Sequence, residues 1–253
     1  MTELHLCQDD IYRGNLILVN ASNALIQNRQ PELIPIDEGN EIFMERNAAR
    51  ILSHLMEAVN SNGTIVPVSG YRSPSEQAKI YNESLIKNGA EFTKRYVAMP
   101  YKSEHQTGLA IDLALKQENI DFIRPYFPDE GICKKFRKMA PLYGFIERYP
   151  QDKEAITGIA HEPWHFRYVG FPHSKIMSEQ GLTLEEYIDK LKSYPYDGKH
   201  CFIKNNNQEI EIFYVCLLDI FSIRIGINDN ILYQVSGNND DGVIITIWRN
   251  IHE

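Results

Sequence analysis

The sequence predicts an α+β fold: a small antiparallel sheet with helices packed on one of its faces, followed by an all-β C-terminal meander. Three observations predict it. Apolar residues recur at helical spacing through 41–59. Short runs rich in β-branched and aromatic residues, at 64–69, 108–115, 143–148 and 164–169, read as strands. Beyond residue 198 the pattern changes to strand-like runs parted by Asn, Asp and Gly.

Taken in order, the helix over 41–59 stops at Gly63, and a short β-rich stretch from Thr64 leads to Arg72. Ser73 caps a second helix over 74–88, with Pro74 in the first turn and Glu76 completing a capping box. Residues 89–104, with Phe92, Arg95, Tyr96 and Pro100, read as a long irregular loop. A helix around 130–140 precedes the strand at 143–148, and Thr183 starts a helix that ends near Ser193. Pro195 and Gly198 mark a junction, so the chain divides into a catalytic-size region, 1–194, and a small β-rich module, 195–253. Five strand-like runs fill that module, at 201–204, 209–215, 221–227, 231–235 and 243–248, with turns at 205–208, 228–230 and 237–242.

The chemistry concentrates in the first region. Asp112 lies inside the apolar run Gly108-Leu-Ala-Ile-Asp-Leu-Ala-Leu115, where a carboxylate is costly unless it is paired or binds a metal. Together with His105 and His165 it supplies two imidazoles and a carboxylate, three ligands of the kind a catalytic zinc takes while leaving a fourth position open. Glu162, three residues before His165, is placed to act as the base. Residues 161–165 also match H-E-x-x-H, whose two histidines bind zinc from one helix face. Pro163 opposes a helix there, and Trp164-His-Phe-Arg-Tyr-Val169 favours a strand, so His161 is left out of the set; a helix at this position would restore it. Arg72, at a strand-to-helix junction, can face the oxyanion formed when water attacks a carbonyl.

Three motifs, Ser-Gly-Tyr-Arg-Ser with Gln77 following, Ser-x-His-x-x-Gly-x-Ala-x-Asp, and Glu-Pro-Trp-His-Phe-Arg-Tyr, occur in this order. Over residues 10 to 192 the chain resembles the zinc peptidases of the M15 family that cleave D-Ala-D-Ala, most nearly the vancomycin-resistance type that combines D,D-dipeptidase and D,D-carboxypeptidase activities (VanXY type). The resemblance implies one catalytic zinc ion on His105, Asp112 and His165, Glu162 as base and Arg72 as transition-state stabiliser. It further implies substrate contacts from Gln77, Ser103, Tyr71 and Trp164, with D-Ala-D-Ala and peptidoglycan precursor peptides as substrates. Two other functions fit the same frame: an L,D-carboxypeptidase, and a zinc-stabilised binding module for cell-wall fragments. The presence of both Glu162 and Arg72 speaks against the second, since a binder needs neither.

The net charge of −8 argues against nucleic acid or an anionic membrane surface as partner. No apolar run reaches the ~18 residues of a membrane span. The first ten residues show neither a basic nor an apolar signal segment, so a cytoplasmic location is expected. Cys7, Cys133, Cys201 and Cys216 lack C-x-x-C spacing and are expected as thiols, a Cys201–Cys216 bridge being the one pairing the tail would allow. The β-rich module carries no ligand cluster, and packing or homodimerisation is its expected role.

Overall fold

A computed structural model describes residues 2–26, 30–37, 39, 41–205 and 207–250; Asn206, in the turn predicted at 205–208, lies outside them. In chain order the elements are β1 (Thr2–Cys7), β2 (Leu33–Pro35), β3 (Phe43–Glu45), α1 (Arg46–Ala58), β4 (Ile65–Ser69), α2 (Pro74–Asn88), α3 (Ala90–Tyr96), β5 (Ala110–Leu115), α4 (Gly131–Met139), β6 (Phe145–Glu147), α5 (Glu154–Thr157), β7 (His165–Tyr168), α6 (His173–Gln180), α7 (Leu184–Lys192), β8 (Cys201–Asn205), β9 (Gln208–Cys216), β10 (Ser222–Ile227), β11 (Leu232–Gly237) and β12 (Gly242–Asn250). They form two compact units, Val19–Thr183 and a second that joins Met1–Leu18 to Leu184–Glu253.

The larger unit is built on a four-stranded antiparallel sheet of order β4-β5-β7-β6. Period-two alternation sorts its residues. Leu109, Ile111 and Leu113 with Phe166 and Tyr168 enter a core completed by Ala48, Leu52 and Leu55 of α1 and by Cys133 and Phe136 of α4. Asp112, His165 and Arg167 therefore face the opposite side. The sheet thus carries its polar site residues on one face and packs α1 and α4 against the other, while α2 supplies Gln77 to the cleft on the polar side. A register shift between Pro67 and Ser69 brings Ser69 opposite Asp112, which is itself opposite His165. One row across three strands then reads Ser69, Asp112, His165.

Two local elements differ from the sequence reading. The first helix begins at Arg46 rather than near 41, because Phe43–Glu45 pairs with Leu33–Pro35 and the Glu45 side chain accepts from the Asn47 and Ala48 amides as a cap. Within the stretch expected to be an irregular loop, 90–96 is α3. Gly89, at φ +84°, separates it from α2, and a buried hydroxyl pair, Ser84 Oγ and Thr93 Oγ1 at 2.8 Å, ties the two helices together. The second helix starts as predicted, with Ser73 and Glu76 closing a capping box.

The smaller unit holds all five predicted tail strands. β11-β12-β9-β8 form one antiparallel sheet, and β10 pairs with the N-terminal β1. The boundary therefore falls at Leu18/Val19 and Thr183/Leu184 rather than at 194/195. Physically, Leu6 and Ile11 share a buried core with Phe213, Val215, Ile225 and Ile245, and α7 packs against β9, burying Leu184, Tyr187, Ile188 and Leu191. All four cysteines are free. Cys201 sits opposite Ile212 and Cys216 opposite Gly242, four positions apart along β9, so the two thiols are not cross-strand partners. Among the described residues no helix is long and apolar enough to cross a membrane.

Candidate metal centre and active-site cleft

Each polar side chain of the site is fixed by a structural constraint of its segment. His105 lies in a 3-10 turn, Glu104–Thr107, closed by Gly108 in the left-handed region at φ +72°. A Cβ at Gly108 would stand 3.0 Å from the Glu45 amide, whose N–H donates to the Gly108 carbonyl at 2.8 Å. Gly70 is tighter: a Cβ there would meet the Phe43 carbonyl oxygen at 2.2 Å. That close approach leaves the Gly70 carbonyl aimed at His105 Nδ1, 2.6 Å away. His105 therefore presents Nε2 to Asp112, whose Oδ2 is 3.1 Å from it. On the other side Asp112 Oδ1 is 2.9 Å from His165 Nδ1. The donor atoms of His105, Asp112 and His165 all lie within 4.8 Å of one another, and all three residues are buried.

This donor set fits a divalent metal. Each imidazole has one nitrogen turned toward the cluster and the other turned toward an oxygen: the Gly70 carbonyl for His105, and Glu104 Oε2, at 3.6 Å, for His165. That arrangement of second partners is the one that sets tautomer and ring orientation in metal-binding histidines. The electrostatics agree. Burial pulls the His105 imidazole down to about 4, helped by nearby Arg72, so it is neutral and free to bind. Against the opposing effect of burial, Asp112 is held well below the carboxylate range by His105 and His165. His165 is pushed up to about 9 despite burial, because Asp112, Glu104 and Glu162 surround it with negative charge. The site draws positive charge to the place where a metal ion would stand.

Around the cluster, Arg72 donates from Nη2 to Asp112 Oδ2 at 2.8 Å and from Nε to Ser69 Oγ at 2.7 Å. Its guanidinium also lies 5.5 Å from the centroid of the Phe122 ring. Glu162 Oε2 is 3.8 Å from His165 Nδ1. Burial raises the Glu162 carboxyl to about 8, with His165 opposing and Asp112 adding to the rise. A carboxyl near neutrality beside a cluster able to hold a metal suits proton exchange in both directions.

Gln77, Ser103 and Trp164 line the cleft with these groups. Gln77 is buried; its Nε2 donates to the Ala98 carbonyl at 2.7 Å and its Oε1 accepts from Arg72 Nη1 at 3.4 Å. Tyr71, expected at the substrate, is not among the cleft-lining residues. Its amide donates to the Phe43 carbonyl at 2.7 Å, which ties the backbone at Tyr71 to β3. His161 pairs with Glu147 at 3.2 Å on the surface and stays outside the cluster, in a non-helical segment. Sequence reasoning missed Tyr149, whose ring centroid is 4.9 Å from that of His165, and Phe122. It also missed a buried group behind His165: Glu104 Oε1 accepts from Arg148 Nε at 2.7 Å and lies 2.9 Å from Arg167 Nη1. Two signals for that group were present, the adjacency of Glu104 to His105 and the i, i+2 spacing of Arg167 from His165 on a strand.

Residues 41–171 match the family described as VanY, D-alanyl-D-alanine carboxypeptidase. The chain is 44% identical over 182 residues, 70% of its length and 95% of the relative's, to the bifunctional D-Ala-D-Ala dipeptidase and D-Ala-D-Ala carboxypeptidase VanXYC of Enterococcus gallinarum. A D-alanyl-D-alanine carboxypeptidase of Enterococcus faecium is 34% identical over 97% of the chain and 79% of its own length. Among solved structures, the vancomycin-resistance D,D-dipeptidase VanXYg, in complex with a D-Ala-D-Ala phosphinate analogue, superposes with a TM-score of 0.95 at 52% identity, covering 98% of this chain and 99% of the other.

Proposed function

The chain belongs to the VanY family of D-alanyl-D-alanine carboxypeptidases, and on that basis we propose a zinc peptidase that hydrolyses the D-Ala-D-Ala dipeptide and removes the terminal D-Ala from peptidoglycan pentapeptide precursors in the cytoplasm, giving vancomycin resistance. The observation that carries this reading is the convergence of His105, Asp112 and His165 with Glu162 and Arg72 in one buried cleft.

His105 Nε2, Asp112 and His165 Nδ1 would hold the zinc ion, which supplies the Lewis acidity that activates water and polarises a carbonyl. Glu162 takes a proton from the attacking water onto a carboxylate oxygen. It then hands that proton to the departing amine of the C-terminal D-Ala, so one residue serves as base and acid in turn. Its raised affinity for a proton, caused first by burial, suits the second half of that exchange. Arg72 directs its guanidinium at the oxyanion, anchored through Nε to Ser69 Oγ and packed against Phe122, so little reorganisation is needed as charge develops. Gln77 braces Arg72, while Ser103 and Trp164 supply cleft wall for the dipeptide.

Homodimerisation through the C-terminal unit belongs to the same proposal, and sedimentation at two concentrations tests it. The functional test is turnover of D-Ala-D-Ala, L-Ala-D-Ala and a muramyl pentapeptide, with chelator and with zinc restored. Hydrolysis of the first and third, abolished by chelator and recovered with zinc, is expected. Selective loss of L-Ala-D-Ala instead would place the chain with the L,D-carboxypeptidases.

A further inference from the structure

Behind the metal cluster lies a second layer that the reaction does not itself use. Glu104, Arg148 and Arg167 are charged and almost wholly buried, with side-chain exposures of 0% for all three. Such burial is costly unless each charge is met by a partner. One carboxylate oxygen, Glu104 Oε1, meets both guanidinium groups, at 2.7 Å from Arg148 Nε and 2.9 Å from Arg167 Nη1. The other oxygen, Oε2, points away from them toward His165 Nε2 at 3.6 Å. Glu104 Oε2 and His165 Nε2 are both fully buried, and among the described residues neither has a hydrogen-bond partner within normal bonding geometry. Two complementary buried atoms thus face each other, less than an ångström beyond the ~2.7–3.2 Å of an N–H···O bond.

The backbone enforces this pairing. His165 and Arg167 are same-side neighbours on β7, and Glu104 immediately precedes His105. The turn that delivers one metal-binding imidazole therefore also delivers the carboxylate behind another. Both arginines hold that carboxylate from its far side, so its free oxygen has a single direction in which to bond.

We propose that Glu104 is a positioning residue: it accepts a hydrogen bond from His165 Nε2–H, fixes that tautomer and so presents His165 Nδ1 to the metal, with Arg148 and Arg167 locking the carboxylate in place. The inference rests on the zinc reading above. The metal centre is then held by two different second partners, the Gly70 carbonyl behind His105 and Glu104 behind His165. Loss of an outer-shell partner of this kind typically costs ~10–100-fold in metal affinity.

The first test needs no substitution. Zinc-loaded protein labelled with ¹⁵N-histidine is examined by long-range ¹H–¹⁵N correlation; His165 should carry its proton on Nε2, with a low-field resonance slow to exchange. A proton on Nδ1 would overturn the proposal. The second test compares Glu104→Gln, which keeps shape but removes charge, with Glu104→Asp, which keeps charge opposite the arginines but withdraws it from His165. Zinc affinity by chelator competition should weaken ~10–100-fold in each, and the His165 Nε2–H resonance should shift. Either variant folding with the wild-type melting temperature, zinc affinity and resonance would sink the idea. If Glu104→Gln does not fold because its arginines lose their countercharge, the aspartate variant and the wild-type tautomer still decide. All these measurements are made without substrate, so they stand apart from whether the protein cleaves D-Ala-D-Ala.

Discussion

Replacing Arg72 separates transition-state stabilisation from substrate holding. Arg72→Ala removes the hydrogen bonds to Ser69 Oγ at 2.7 Å and Asp112 Oδ2 at 2.8 Å, together with the packing against Phe122. Asp112 keeps His105 and His165 as partners, so it is not left as a bare buried charge and the fold should survive. Removing a cation from beside a proposed metal ligand also favours the metal, so zinc should bind at least as tightly as in the wild type. The loss then falls on the reaction. One preorganised oxyanion donor is worth ~2.7–4 kcal/mol, so kcat on D-Ala-D-Ala should fall ~10²–10³-fold with little change in KM. Arg72→Lys restores a positive charge but not the planar fork that spans Ser69, Gln77 and Asp112, and should recover only a small part of the rate. The assay is steady-state turnover at saturating zinc, with metal content measured on the same samples. An unchanged kcat with a much larger KM would refute the reasoning and reassign Arg72 to ground-state binding of the substrate carboxylate.

The remaining predictions concern the base, the second histidine, acid stability and the division of the chain. Glu162→Gln should keep stoichiometric zinc and lose ~10²–10⁴-fold in kcat; zinc lost along with activity would make Glu162 a ligand instead. His161→Ala should retain zinc and turnover, whereas His165→Ala should lose both, and equal metal loss in the two would restore the helical H-E-x-x-H reading. His173 is buried in α6 and burial lowers it from 6.5 to about 3, so the fold favours its neutral form. Its contribution is complete above pH 6.5 and is lost as pH falls toward 3; at pH 5 the loss is ~2 kcal/mol, and His173→Gln should flatten urea-derived stability over that window. Cutting at residue 194 leaves Leu6, Ile11, Leu184 and Tyr187 without their buried neighbours, so that fragment should aggregate, whereas Val19–Thr183 should be soluble and bind zinc; equal solubility of the two would argue against the boundary at Thr183.

Much of the fold was legible where local chemistry alone decides it. Ser73, Pro74 and Glu76 announce a helix start that depends on no distant residue, and α2 begins there. The five tail strands follow from runs and turns in the same way. Long-range pairing was not legible. Nothing local says that Thr2–Cys7 belongs with Ser222–Ile227, and without that pairing the N-terminus reads as part of the larger unit. α3 was missed for a related reason: Phe92, Arg95 and Tyr96 look irregular until α2 supplies the Ser84 hydroxyl against which Thr93 docks.

The site divides along the same line. Asp112 stood out because an ionised group in an apolar strand needs a reason, and the row from Ser69 through Asp112 to His165 supplies it. Arg148 carried no such signal, because a charged residue beside a polar turn is ordinarily solvated; for Arg167 the signal was there but weak. Alternation along β7 holds the clue: if Phe166 and Tyr168 enter the core, Arg167 must share the face of His165, and there its side chain is wholly buried. Stability alone gives no reason to keep Glu104, Arg148 and Arg167 there, since well-packed apolar replacements for a buried ionic triad are often neutral or stabilising by ~1–4 kcal/mol. On the proposed zinc reading, a carboxylate whose second oxygen faces the far nitrogen of the His165 imidazole does give one: the same burial that makes the charges costly also holds their geometry, and a firmly held His165 is what a metal centre would require.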